Sequence, residues 1–394
     1  MSWNLKKSRG LFFSRTKEPL VSYWANENIA DLVKSRGRAV PRSLLDWDPL
    51  AEGVRSNCPI LDQQMSEVIR LCDPRWRARA QNIYAGRTFA TEDLALADQN
   101  VRGGMVALSS HFTSIMFAYS AMYGIFMRSI DDARQRSPEE AEEIQRGLHA
   151  EFERIVEGYR LGGLLALEGS PLMAFDQEHW DAADALCRSA EQWALAHEVS
   201  HHLARDMSSR RDKGVDAIVA EILSRTSLRS KLADIPPSHK CEIEADILAT
   251  LILAGRFTES GYHPALLQLS LPGAAIGLIT VAHLRNEWRT DRTDSHPGCA
   301  DRLFILLTVL CELYGNDNAM PHSDRFAHIT INRSAATLMT FAQWAYGLEN
   351  AAEFPIRRLT AFPPYDVTAP AATVIVWATV FGLAADSFTD PASS

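Results

Sequence analysis

The clearest signal along the chain is an alternation between helical periodicity and punctuation. Residues 185–206 read ALCRSAEQWALAHEVSHHLARD, without Gly or Pro. Leu186, Ala190, Trp193, Ala194 and Leu203 recur there at three- and four-residue steps, which predicts one long helix from about 184 to 206. A second helix is predicted after Pro236-Pro237-Ser238, carrying CEIEADILATLILAG to Gly255, whose flexible backbone suits a helix end. Ser137-Pro138-Glu139-Glu140 opens a third: a hydroxyl to cap, Pro in the first turn and acids at the positive helix end, running to Tyr159 before Gly162-Gly163. The expected fold class is mainly α, with few strands and no internal repeat.

Three uncharged stretches, 103–127, 260–284 and 367–385, approach the length of a bilayer span. The first holds Gly103-Gly104, serines and His111, the second Pro264, Gln268, Pro272 and His283, and the third is opened by Pro370. Polar groups and breakers of this kind are costly in lipid, so all three read as buried core elements, and any membrane contact is expected to be peripheral. The N-terminal apolar cluster, Leu11-Phe12-Phe13, is too short for a secretory signal, and the expected location is the cytoplasm. Residues 1–90 carry several prolines and no motif. They are expected to form an N-terminal region of unknown role, followed by a core over 91–320 and a C-terminal helical extension over 321–394.

Composition narrows the function classes. Of 394 residues, 46% are hydrophobic and 23% charged, as in a folded globular protein, and the formal charge of −9 argues against nucleic acid as a partner. The six cysteines contain no CxxC pair, so neither a disulfide framework nor a thiolate metal site is expected, and Cys241 and Cys299 are assigned no role.

The candidate chemistry lies in His197-Glu198-Val199-Ser200-His201. Residues four apart share one face of a helix, so His197 and His201 can offer imidazole nitrogens to one zinc ion at about 2.0–2.1 Å. Glu198 follows the first ligand and projects towards the open coordination position, where a carboxylate can take a proton from the attacking water and pass it to a leaving amine. Glu242-Ile243-Glu244-Ala245-Asp246, on the later helix, supplies a third ligand: Glu242 and Asp246 stand on one face, with Asp246 suited to fix the tautomer of a ligating imidazole. Glu244 is a rival ligand. His202 lies about 100° around the helix from His201 and reads as a packed residue, and the run Arg205 to Lys213 as a solvated turn.

HExxH followed on a later helix by ExxAD resembles the gluzincin metallopeptidases, especially the HtpX and CAAX-prenyl-protease type. Ser295-His296-Pro297-Gly298-Cys299-Ala300-Asp301-Arg302-Leu303 is similar to that family's His-Pro segment with a following Arg near the active site. Residues 100–108, beginning Asn100-Val101-Arg102-Gly103-Gly104, resemble its segment leading into a strand beside the catalytic helix, although the family's Asn-Ala-Phe is reduced to Asn100-Val101-Arg102. The resemblance spans residues 95–310 and implies a zincin-like core with a small edge β-sheet beside the HExxH helix and one zinc ion per chain. By the same resemblance, Gly104, Met105, Val106 and Ala107 lie on an edge strand whose backbone pairs with an extended substrate. His296 is a candidate donor to the oxyanion, with a plain loop histidine as the alternative. Arg302 pairs with an acid or holds a substrate carboxylate. The hydrophobic spans of the HtpX type are only weakly echoed, which favours a soluble relative. Phage-exclusion peptidases of the Lit type share HExxH on a mainly cytoplasmic chain.

The resulting expectation is a zinc endopeptidase acting on a protein or peptide, in bacterial stress response or phage defence, under an unknown regulatory partner. The alternative is a regulatory or sensing protein whose metallopeptidase-like domain mainly binds a partner, as in ImmA-like proteins.

Overall fold

The computed structural model describes residues 4–27, 40–89, 94–100, 103–133, 177–205, 211–226, 235–259, 264–285 and 297–316, with a few positions between 137 and 150. The described chain is mainly helical with one three-stranded sheet. It divides into two compact units, Met1–Thr113 with Gln192–Ala220 and Glu244–His263, and Ser114–Glu191 with Glu221–Ile243 and Pro264–Ser394. The boundary expected near residue 90 therefore falls inside the first unit, and the expected C-terminal extension over 321–394 lies outside the described residues.

In the first unit, helices α1 (Leu5–Thr16), α2 (Arg42–Leu45), α3 (Pro59–Leu71) and α4 (Pro74–Ala80) precede strands β1 (Ile83–Thr88), β2 (Ala95–Asn100) and β3 (Gly103–Ser109). Asn4 caps α1 by accepting from the Lys6 N–H, and Asp73 caps α4 through the Arg75 N–H. The strand order is β1-β3-β2, with β1 parallel and β2 antiparallel to β3. Strand β3, expected at an edge, is thus central. All seven of its residues are buried, and its unbroken Met105-Val106-Ala107-Leu108 run is that of a strand covered on both sides. Segment 55–57 covers the outer side of β1: Ala85 N–H donates to the Arg55 carbonyl at 2.8 Å, and the Asn57 side chain bonds both backbone groups of Arg87. Among the described residues β2 pairs with β3 alone, and its side chains are partly exposed.

Helix α1 closes one face of the sheet. Phe12 and Phe13 pack with Tyr84, Met105 and Ala107, and the Ser8 hydroxyl donates to the Asn82 carbonyl while accepting from the Gly104 N–H at 3.1 Å. Gly86 makes this possible, since a β-carbon there would sit 2.1 Å from the Phe12 ring. Helix α1 and strand β1, both within residues 1–90, are therefore parts of the sheet and its cover.

In the chain order that follows, α5 spans Ser110–Ala133, α6 Gln177–Ala204, α7 Lys213–Ser224, α8 Pro237–Leu253, α9 Pro264–Arg285 and α10 Cys299–Asn316. Helices α6 and α8 match the predicted pair, α6 beginning about two turns earlier than expected. Residues 103–127 become β3 and the start of α5, and residues 264–284 of the other stretch lie in α9, buried from Ser270 to Thr280. The stretch 367–385 lies outside the described residues. Among the described residues no helix is long and apolar enough to cross a membrane. In the second unit α9 packs with α10, and Gly273 lets α9 approach Ser189 of α6, whose hydroxyl a β-carbon would meet at 2.6 Å. Ser137 caps as expected, and Glu140 completes a capping box with it, each accepting the other's backbone N–H at 3.3 and 3.1 Å. Residues 151–159 of that predicted helix lie outside the described residues.

Candidate metal centre

The four-residue step in α6 brings His197 and His201 to one face, both buried, with their Nε2 atoms 3.1 Å apart and their rings nearly perpendicular. In a tetrahedral centre with bonds of about 2.0–2.1 Å, two ligand nitrogens stand roughly 3.3 Å apart, so this spacing suits a shared ion. Glu242 completes the set: one ligand atom from each of His197, His201 and Glu242 lies within 4.8 Å of the others.

Asp246 stands one turn along α8 from Glu242 and is 1% exposed. Its Oδ1 lies 2.9 Å from Nδ1 of His197. A carboxylate on that side keeps the ring proton on Nδ1 and leaves the Nε2 lone pair directed at His201. One turn earlier in α6, Trp193 Nε1 donates to the Thr250 hydroxyl at 2.9 Å, and that hydroxyl donates to the Asp246 carbonyl at 2.9 Å. The Trp193 ring lies under His197, with centroids 5.5 Å apart and planes tilted by 31°.

The two acids that competed for the third position separate cleanly. Two residues further on is more than half a helical turn away. Glu244 accordingly accepts from Arg211 at 2.5 Å, and Arg211 also bonds Asp216 of α7 at 2.7 Å. Glu242, by contrast, pairs with Arg302 at 3.3 Å, both side chains well buried. Arg302 thus takes the acid-pairing place of its two expected ones. Glu242 and Asp246 thus bring two carboxylates to this cluster, and Arg302 one guanidinium.

Glu198 is half-buried, and among the described residues nothing bonds or pairs with it. His202 has its Nε2 2.8 Å from the Met105 carbonyl, which ties α6 to β3. The packed role read for His202 agrees with this position. The segment read as a solvated turn after α6 is partly engaged: Arg79 donates to the Leu203 carbonyl at 2.5 Å and to Asp212 at 2.8 Å. Burial alone would raise the Asp212 carboxyl, but the Arg79 bond and charge, with the Val215 and Gly214 N–H groups, bring it below the ordinary carboxylate range.

His296, the candidate oxyanion donor, lies outside the described residues. Gly104, Met105, Val106 and Ala107 cannot pair with a substrate strand as expected, because β1 and β2 occupy both sides of β3. Sequence reading missed Trp193, Thr250, Arg79 and Arg211 as supports of the site. Trp193 and Thr250 carried a signal, standing one turn before His197 and one turn after Asp246. Arg79 and Arg211 carried none, since their partners are remote in sequence or sit in an ordinary charged run.

Comparison with known proteins finds no matching family model, no matching curated protein and no matching solved structure.

Proposed function

We propose that this chain is a zinc-dependent peptidase of gluzincin type, cleaving peptide bonds within a protein substrate. The observation that carries the reading is the convergence of the His197 and His201 Nε2 atoms, 3.1 Å apart, with Glu242 beside them and Glu198 on the same helix. His197, His201 and Glu242 would hold zinc, which when bound supplies a Lewis acid for the scissile carbonyl. Asp246 orients His197. Glu198 takes the proton of the attacking water and delivers it to the leaving amine, a role suited to a half-exposed carboxylate next to a ligand. A structural metal cage has no use for Glu198. Among the described residues β2 pairs with β3 alone, so an extended substrate would add to β2, not β3.

The test is metal analysis of the purified full chain with cleavage of a quenched-fluorescent peptide library, for wild type and Glu198→Gln. One zinc per chain in both, with cleavage in the wild type alone, supports the reading. It is overturned by a chain that takes up no zinc, by cleavage that survives Glu198→Gln, or by a zinc-loaded wild type that cleaves nothing. The last result would favour a partner-binding role.

A further inference from the structure

The ion pair between Arg302 and Glu242 reaches beyond the ligand set. Glu242 has two carboxylate oxygens, and a carboxylate ligates a metal through one or through both. Arg302 Nη1 stands 3.3 Å from Oε2, and the side chains are 7% and 13% exposed, so water screens the pair little. The guanidinium is anchored on regular structure. Arg302 lies in the first turn of α10, its N–H donating to the Gly298 carbonyl at 3.0 Å, and Pro297, Gly298 and Cys299 before it are buried.

We propose that Arg302 is a positioning residue that occupies Oε2 of Glu242 and leaves a single oxygen for the metal. This rests on the metal reading above and deepens it. A one-oxygen Glu242 with two imidazoles leaves a coordination position for reactants, whereas a two-oxygen Glu242 fills it. A buried guanidinium suits this task because it stays charged and holds its donors in a rigid plane. It also explains why Arg302 faces an acid of its own chain in place of a substrate carboxylate.

The test uses the full chain stripped of metal, with Co2+ as the spectroscopic probe and Zn2+ affinity from competition with a chelator. Wild type is expected to give the strong visible absorption of four-coordinate cobalt at one equivalent. In Arg302→Met, Glu242 is expected to turn both oxygens to the ion, giving the weaker absorption of a higher coordination number and zinc binding about 10–100-fold weaker. Arg302→Lys restores the charge and is expected to recover the wild-type spectrum in part. If the Met variant does not fold, by circular dichroism, Arg302→Gln makes the same comparison. A folded neutral variant with the wild-type cobalt spectrum and zinc affinity overturns the role of Arg302 alone. A wild-type chain that binds no cobalt or zinc overturns the metal reading itself.

Discussion

Nδ1 of His197 and Oδ1 of Asp246 stand 2.9 Å apart, and this pair is the middle rung of a ladder between α6 and α8. Four residues back along α6 and four forward along α8, Trp193 meets Thr250; four steps the other way, His201 shares its cluster with Glu242. The helices therefore run antiparallel in a register of one turn per rung. Asp246→Asn keeps the size of the side chain and removes its charge, loosening the hold on the His197 tautomer. Zinc affinity should fall about 10–100-fold with the fold retained, as measured by chelator competition beside circular dichroism. Unchanged affinity would remove Asp246 from the site.

Glu242 and Glu244 are two residues apart and should answer differently to truncation. Glu242→Ala is expected to lose stoichiometric zinc. Glu244→Ala removes one ion pair of Arg211 and keeps the one to Asp216, so it should keep one zinc per chain and lose about 1–3 kcal/mol of stability in urea unfolding. The reverse pattern would exchange the two assignments.

Arg79 ties the last turn of α6 to Asp212. Arg79→Ala removes both the bond to the Leu203 carbonyl and the ion pair, and should cost roughly 1–3 kcal/mol at neutral pH. The folded-state carboxyl of Asp212 titrates below its ordinary value of 3.8. Its contribution is thus present above that value and lost as pH falls through the lower folded-state value. The ion-pair part of the penalty should shrink below about pH 4, in unfolding curves of wild type and variant taken across that range. A penalty that does not change with pH would show that the carbonyl bond alone carries it.

Gly86→Ala places a methyl 2.1 Å from a ring carbon of Phe12, which is fully buried. The ring or α1 must yield, at a cost of about 1–3 kcal/mol. Phe12→Leu frees space at the same point, so the double variant should lose less than the two single losses combined. Additive losses would mean that the strain is relieved elsewhere. Because β1 and α1 share one core, deletion of residues 1–90 removes part of the sheet.

Much of the local structure was legible. The helical step alone sets His197 above His201 and Glu242 above Asp246, because 3.6 residues per turn determine which side chains share a face. The capping box at Ser137 and Glu140 and the bounds of α8 follow from equally local chemistry. The tertiary structure decided what depends on register and neighbours. Sequence left Glu242 and Glu244 as rivals, and only the packing of α8 turned one to the imidazoles and the other to Arg211. It marked residues 104–107 as a strand, but whether that strand was central or at an edge depended on β1, which comes from a region with no motif. The acid that Arg302 meets lies 60 positions earlier in the chain. A periodicity of 3.6 or 2 reports which way a side chain points from its own element, and carries no information about what has been packed opposite.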